Sequence, residues 1–586
     1  MTTGPAAGRG HRIAPGRIRR PGERAIALVW MALTLTVMIL FAGFAVDLSN
    51  WWFQAERLQR AADAGAQAGV VFLPGDVGSA TATARREVAR NEFNDGIVVG
   101  PTNATVTVNQ EPNPNRLRVR VETRVKSFFL GLVGIDDVPI AREAVAEFLA
   151  PVPMGSPLNK LGGDPDTGYD SPQFWINVAG PNANKANGDR YAAKLCATTT
   201  AFCSGTVNPG INNDDYAYDG YFFTIDVKNV PGGQPLRVDV YDALMAFTGD
   251  KCGSSMPTAA QRTTLATWYP DAAQRYANVL NQWCPGDQDL GGRNARTTFI
   301  VREPDDTPWT NTDNPVVNLS TCRPTTLDPY LPGTGSAGSP SFFQLLHPSD
   351  GVRDTEAVIN PNDGVLTFAE MFHRWATICS IPSGQVRTGE YLLQIRTNAS
   401  SANPTAYHAS ENGGGHNRMS IRVGFGAAGV TAEDGSDVAL YARGKLPIYA
   451  NADGASTNFY LARVMPADAG RTLRINLHDI SDVGASGTMQ IRPPAERGGT
   501  FSGCSFEADN SQAVTYSAST CTLTVPNGYF DRRLVYVDIP IPADYTCDAA
   551  DPEGCWVTVL AQFPGAVQDT TTWSAAILGN PVRLVE

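Results

Sequence analysis

The side chains able to do chemistry are sparse and scattered. Six histidines occur: His11, His347, His373, His408, His416 and His478. Glu370 and His373 fall three apart on one face of a predicted helix, which could present two ligands to one metal. A di-metal centre needs a second such pair, and the sequence has none. Asp164, Asp166 and Asp170 offer oxygen ligands at a spacing that suits calcium, without the rest of an EF-hand. Asp363-Gly364-Val365-Leu366-Thr367 with Glu370 imitates the back half of that motif, but Ile359 and Pro361 stand where its front half needs Asp or Asn. Thr367 and Glu370 read instead as a capping box. Gly333-Thr334-Gly335-Ser336-Ala337-Gly338 has the letters GxGxxG. Pro329, Pro332 and Pro340 deny it the strand before and the helix after that dinucleotide binding requires. Gly-x-Ser-x-Gly, HExxH and the P-loop are absent. Neighbouring carboxylates, such as Asp214-Asp215 and Asp305-Asp306, leave glycoside hydrolysis open, because that chemistry depends on a spatial gap of ~5–9 Å. Trp175, Tyr216, Tyr218, Tyr221 and Trp268 are candidates for an aromatic platform under a surface glycan. The expectation is a protein that is not an enzyme, with no cofactor and no metal.

The elements that would carry these groups read mostly as strands. The chain has 586 residues, 18% charged, with 56 Gly and 41 Pro, a composition that suits turn-rich β domains. Gly220–Ala243, GYFFTIDVKNVPGGQPLRVDVYDA, reads as strand, Pro/Gly turn and strand. Asn458–Ser481, NFYLARVMPADAGRTLRINLHDIS, aligns with it almost without gaps. The match predicts a duplicated β-sandwich of jelly-roll-like kind, one copy over 171–402 and the other over 403–586. The first copy carries an insertion at about Lys251–Gly364. Helices are expected at Asp271–Trp283 and Thr367–Cys379, and a Gly/Pro/Asp linker at 151–170. All ten cysteines lie beyond Lys194: Cys196, Cys203, Cys252, Cys284, Cys322, Cys379, Cys504, Cys521, Cys547 and Cys555. The even count suggests disulfides in an oxidising compartment, and sequential pairing is the simplest scheme.

The chain begins differently. Ala25–Val46 is twenty-two residues without a charge. At 1.5 Å per residue a helix of that length spans ~33 Å, enough for a hydrocarbon core of ~30 Å. Six arginines precede it, Asp47 follows it, and by the positive-inside rule residues 1–24 form a cytoplasmic tail. Gly43-Phe44-Ala45 would suit signal peptidase, so a cleaved signal is the rival reading, and a buried core helix is a third. Trp51, Trp52 and Phe53 sit where an aromatic belt would meet the outer headgroups. Ala55–Phe72 is rich in Ala and long polar residues, so the membrane helix should continue through it. Ala80–Asn94 reads as a second helix with Ala84 and Val88 on one side. Arg116–Lys126 reads as a strand with Leu117, Val119, Val121, Thr123 and Val125 on one face. Residues 1–24 carry +5 of the formal −12, leaving −17 outside, which disfavours nucleic acid as a partner.

Three features stand in register: Arg24-Ala25-Ile26-Ala27 before the apolar run, Ala45-Val46-Asp47 after it, and then Leu58-Gln59-Arg60-Ala61-Ala62-Asp63-Ala64-Gly65-Ala66. Together they resemble the N-terminal region of TadE/TadG-like Flp pilus-assembly proteins. The resemblance covers about Pro21–Val70, more loosely to Ala150, and marks Asp47, Leu58, Gln59, Ala61, Ala62 and Asp63 as motif residues. It implies a pilin-like unit over 47–150, in contact with the membrane and with other pilin-like or pilus-assembly proteins. Longer TadG-type relatives carry an Asp-x-Ser-x-Ser metal site. Here Asp479-Ile480-Ser481-Asp482-Val483 lacks the second Ser, and Asp434-Gly435-Ser436 is followed by Asp437 and Val438. The expected fold is therefore α+β, mostly β: a transmembrane helix, a small pilin-like α+β unit and two tandem β-sandwiches outside the membrane. The expected role is structural, with small residues of the extended helix packing against neighbouring helices. A tethered adhesin or carbohydrate-binding ectodomain is the alternative, and an extracellular hydrolase a further one.

Overall fold

The computed structural model describes residues 21–578 and 582–585, apart from 74–76, 96–102, 112–114, 149–150, 165–172, 199, 208–209, 242–258, 269–294, 306–309, 328–357, 361–363, 367–373, 400–402, 409–412, 427–429, 431–434 and 454–455. Two compact units emerge, one formed by Met1–Phe148 with Val582–Glu586, the other by Leu149–Pro581.

The first unit is built on one uninterrupted helix, α1, Pro21–Val70, fifty residues long. Its apolar stretch from Ile26 to Phe41 is exposed throughout, and by length and composition the helix is a candidate to cross a membrane. A second helix, α2 (Val77–Arg90), packs back on α1 through Ala80, Ala84 and Val88. Strands β1 (Asn103–Gln110), β2 (Arg116–Lys126) and β3 (Asp137–Phe148) form an antiparallel sheet beside them. The expected face of β2 turns inward, with Leu117, Val119, Val121, Thr123 and Val125 buried. Its opposite face is occupied by ion pairs: Arg116 with Glu147 at 3.1 Å, and Arg118 with Glu111 at 2.7 Å and Glu143 at 2.9 Å. A closing strand, Val582–Leu584, pairs with the far end of β3, Val582 opposite Phe148 and Leu584 opposite Ala146. The tail expected within the second sandwich thus belongs to this sheet, and residues 149–581 are an insertion between two of its neighbouring strands.

The second unit consists chiefly of two large antiparallel sheets. In chain order its main strands are β4 (Gln173–Ala179), β5 (Tyr221–Val227), β6 (Leu236–Tyr241), β7 (Thr297–Arg302), β8 (Thr325–Leu327), β9 (Trp375–Ile381), β10 (Gly389–Arg396), β11 (His416–Phe425) and β12 (Val438–Arg443). Then come β13 (Lys445–Asp453), β14 (Ser456–Arg463), β15 (Thr472–His478), β16 (Gly487–Arg492), β17 (Thr522–Val525), β18 (Leu534–Pro540), β19 (Trp556–Gln562) and β20 (Ala566–Ile577). The eleven-stranded sheet runs β8-β7-β10-β5-β12, the short strand Pro153–Met154, then β14-β19-β16-β17 and Tyr516–Ser517. The ten-stranded sheet runs β9-β6-β11-β4-β13-β20-β15-β18 and ends on Ser505–Ala508, with Lys160–Leu161 beside β11. Numbered one to eight, β4–β11 lie in the orders 5-4-7-2 and 6-3-8-1 in the two sheets, and β13–β20 lie in the same two orders. The halves meet through β4 against β13 in one sheet and through Pro153–Met154 beside β12 in the other. One buried apolar core runs through both halves.

Several local expectations change here. The two aligned segments are not hairpins. β5 pairs with β10 and β12 while β6 pairs with β9 and β11, and β14 and β15 divide between the sheets likewise. Alternation shows that a strand has an inner face; it does not name the partner. The boundary expected at 402/403 falls before β11 and β12, which pair with strands of the first half. The stretch 151–164 is no solvated linker, since Val152, Met154, Asn159 and Leu161 are buried and two short strands pair within it. The helix expected over Thr367–Cys379 gives way to β9 from Trp375 onward, paired along β6 and tied by the disulfide Cys322–Cys379. Residues 271–283, expected as a helix, lie outside the described residues; a helix α3 stands at Ala259–Trp268. The EF-hand imitation lies partly outside them too, and its described part, Gly364–Leu366, pairs as a strand with Val358–Asn360.

Candidate functional site

The six motif residues gather on α1 and its immediate partners. Asp47 is fully buried beside the β2–β3 loop, just past the apolar stretch. Its carboxylate accepts the backbone N–H groups of Phe128 at 2.6 Å, Phe129 at 3.0 Å and Leu130 at 2.7 Å. Those N–H groups open a 3-10 turn, Leu130–Val133, and would otherwise lack partners at its start. A carboxylate suits that place because three converging donors share its negative charge. One turn earlier, Gly43 is buried by Phe129: a Cβ there would stand 2.9 Å from the Phe129 Cβ and Cγ. Asn50 reaches the Lys126 carbonyl from the next turn.

Further along, Leu58, Ala61 and Ala62 are wholly buried, with Ala66 and Val70 continuing the same face. Gln59 donates to Asp63 at 2.8 Å and to the Glu143 carbonyl at 3.1 Å, fastening α1 to β3. Small residues here serve contacts within the chain. A Cβ on Gly65 would meet Val88 Cγ2 at 2.7 Å, and one on Gly69 would meet the Ala80 carbonyl oxygen at 2.6 Å. Gly65 and Gly69 thus face the Ala80–Ala84–Val88 stripe of α2, a close helix crossing that larger residues would forbid. At Gly65 and Gly69 the close approach that small residues allow is made within the chain. Arg57 closes the same region, paired with Glu92 and lying over Phe93 at 5.7 Å.

Groups elsewhere that suggested chemistry are mostly committed to structure. Trp175 is buried, stacked on Tyr241 at 5.8 Å, and Tyr221 is buried with its hydroxyl on Asp189 at 2.5 Å. The proposed glycan platform therefore loses two members to the core. Tyr216 accepts from Asn398, Trp268 packs on the core, and Tyr218 is exposed. Asp215 is held by Lys185 and Arg190, while Asp214 accepts from Ser204 and Asn212. Asp164 pairs with Lys160 at 3.2 Å, and Asp166 and Asp170 lie outside the described residues. Burial, helped by Arg418, pushes His416 down to about 3. Burial likewise pushes His478 down to about 4, against the opposing pull of its bond to the Lys185 carbonyl. Both rings are neutral at pH 7. His408 is described; His11, His347, His373, Glu370 and the segment 333–338 are outside the described residues. Glu496 lies near Cys547 and Cys555, but those sulfurs are joined to each other and offer no thiolate.

The structure joins Cys196 to Cys203, Cys322 to Cys379, Cys504 to Cys521 and Cys547 to Cys555; Cys252 and Cys284 lie outside the described residues. Sequence reasoning read Gly43 only as part of a candidate cleavage site and gave the loop Phe128–Ile135 no role. The available signal was the run FFLGLVGI between Lys126 and Asp136, too apolar for an ordinary solvated loop.

Residues 25–84 match the TadE/G-like Flp pilus-assembly family, so the N-terminal region carries a domain of that kind. No curated protein and no solved structure matches the chain.

Proposed function

We propose that this protein is a membrane-anchored component of Flp, or tight-adherence, pilus assembly, TadG-like, with a structural and interaction role and no catalysis. The observation that carries the reading is the matched segment itself. Most of it lies on a single fifty-residue helix whose stretch from Ile26 to Phe41 is exposed. The arginine-rich tail sets the N-terminus in the cytoplasm, and the second unit stands outside. The four disulfides among its described residues support an oxidising surround. The first unit is a pilin-like module. The second is a pair of jelly-roll sandwiches, a reading supported by the repeated strand order in both sheets. These sandwiches present side surfaces to other components of the apparatus.

The test is protease treatment of intact native cells, with intact masses of the membrane-bound fragments, alongside a piliation assay. Trimming of residues beyond 149 from outside, together with loss of pili in cells lacking the chain and their return on complementation, is the expected result. A soluble chain beginning at Val46, or normal piliation without the chain, would refute the reading.

A further inference from the structure

The loop between β2 and β3 has a composition that water does not explain. Between Lys126 and Asp136 it carries Phe128, Phe129, Leu130, Leu132, Val133 and Ile135. Leu132 is 85% exposed and Phe128 67%, with Phe129, Val133 and Ile135 also exposed. Phe129 lies against Gly43 of α1, and Phe44, Val46 and Leu48 in the same part of that helix are exposed as well, so loop and helix offer apolar surface at one level.

Its height along α1 is fixed by contacts. Phe129 sits on Gly43, three residues inside the end of the uncharged stretch Ala25–Val46, or about 4–5 Å below that end at 1.5 Å per residue. Lys126 and Asn50 meet on the outer side. Asp136 and Asp137 return the chain to polar surroundings immediately after the loop. The apolar residues therefore lie level with the outer end of the anchor, and the charged ones just beyond it.

Backbone that enters lipid must have its polar groups satisfied, because hydrocarbon offers no partners. Most of this loop's backbone donors are satisfied within the chain. Ser127 donates to the Asp136 carbonyl, Leu132 to Phe129, Gly134 to Gly131 and Ile135 to Leu130. The N–H groups of Phe128, Phe129 and Leu130 all go to the Asp47 carboxylate. A loop in water would not need a buried carboxylate for those three donors. The same contact covers Asp47 completely, keeping a charge at the membrane boundary out of lipid.

We propose that Phe128–Ile135 is a membrane-inserting loop, which enters the outer leaflet beside α1 and fixes the height of the first unit over the bilayer. The inference rests on the reading of α1 as a retained membrane anchor. The partner is the lipid surface at the boundary between headgroups and acyl chains, chosen because the apolar patch lies level with the outer end of the anchor and ends in charge there. A second copy's helix lying on the same patch is the competing occupant.

The experiment uses the full chain in phosphatidylcholine nanodiscs at one copy per disc, with an environment-sensitive fluorophore on Leu132→Cys, Ile39→Cys or Gln67→Cys. Iodide reports access from water, and spin-labelled acyl chains report contact with lipid. The Leu132 probe is expected to resist iodide several-fold better than the Gln67 probe and to be quenched by acyl-chain labels near the headgroup. Iodide quenching of the Leu132 probe equal to that at Gln67, with Ile39 still shielded, would overturn the loop insertion while leaving the anchor intact. Access of iodide to Ile39 as well would overturn both. A Leu132 probe shielded from water and from labelled lipid alike, and only at two copies per disc, would assign the patch to a neighbouring protein and refute the lipid assignment.

Discussion

Replacing Gly69 by alanine sets two effects of opposite sign against each other. Inside a helix, alanine is favoured over glycine by ~1 kcal/mol, so at a free surface the change would stabilise. Here the new Cβ would stand 2.6 Å from the Ala80 carbonyl oxygen, 2.6 Å from Leu117 Cδ2 and 2.9 Å from Ala84 Cβ. Leu117 can turn aside, but the Ala80 oxygen is helix backbone and moves only with α2. Overpacking of this sort costs ~1–3 kcal/mol; set against the gain, the net loss should centre on about 1 kcal/mol. The assay is hydrogen exchange with mass spectrometry on the full chain in detergent, reading peptides from α2 and from residues 58–70. A loss of about 1 kcal/mol corresponds to exchange roughly 5-fold faster in the affected amides. Gln67→Ala, on the exposed side of the same turn, is the control and should change exchange little, within ~0.5 kcal/mol. Slower exchange in Gly69→Ala would show that the glycine faces open space and would refute the internal packing of α1 on α2. Gly69→Val, with two further methyl groups, should be worse still.

Asp47→Asn keeps the size of the side chain but replaces one acceptor oxygen by an amide nitrogen. The amides of Phe128–Leu130 should exchange faster while α1 stays in the membrane, as read by exchange and by carbonate extraction of membranes. Reduction of Cys322–Cys379, or its replacement by serines, removes a link between residues 57 apart and should lower the stability of the second unit by about 4 kcal/mol, seen as a lower urea midpoint. His416 and His478 are depressed to about 3 and about 4 in the folded chain, below the ordinary value of ~6.5. Between those limits the unfolded chain binds more protons, so their contribution lowers stability as pH falls below ~6.5, by ~1.4 kcal/mol per pH unit for each ring. Buried Asp189, Asp479 and Asp569 are pushed up by burial and act in the opposite sense, so the clean measurement is a difference. His416→Gln should flatten the dependence of the urea midpoint on pH between 6 and 4.5 relative to the parent, and an unchanged slope would contradict the buried neutral ring.

Much of the first unit was legible because its signals are local. The uncharged run and the alternation of Leu117 to Val125 each follow from composition or a short period, and the exposure of Ile26–Phe41 and the burial of one face of β2 match them. The role of the small residues was not legible. Gly65 and Gly69 announce a close crossing, but only the position of α2 shows that the partner is in the same chain. In the second unit, matched segments revealed a repeat, while the partners of each strand depend on contacts hundreds of residues away, such as Asn177 with His416. Trp375–Cys379 follows a helical-looking run, yet pairing with β6 and the bond from Cys379 to Cys322 make it a strand. Trp175 and Tyr221 looked like surface aromatics because a single sequence does not reveal which face of β4 or β5 is covered twice. Phe128–Ile135 was visible as letters, but its level against the anchor required Phe129 on Gly43 and the three N–H bonds to Asp47.

The closing strand has a bearing on how this chain is made. β3 is complete once Phe148 has emerged, but the strand that covers its edge begins at Val582, about 430 residues later. At ~5–20 residues per second, synthesis of that interval takes about 20–90 s. Throughout it, the sheet of the first unit offers the unpaired backbone of its edge to any strand that passes. A chain broken off anywhere in the second unit keeps that edge open for good, so the sheet of the first unit is finished only by a chain translated through Leu584.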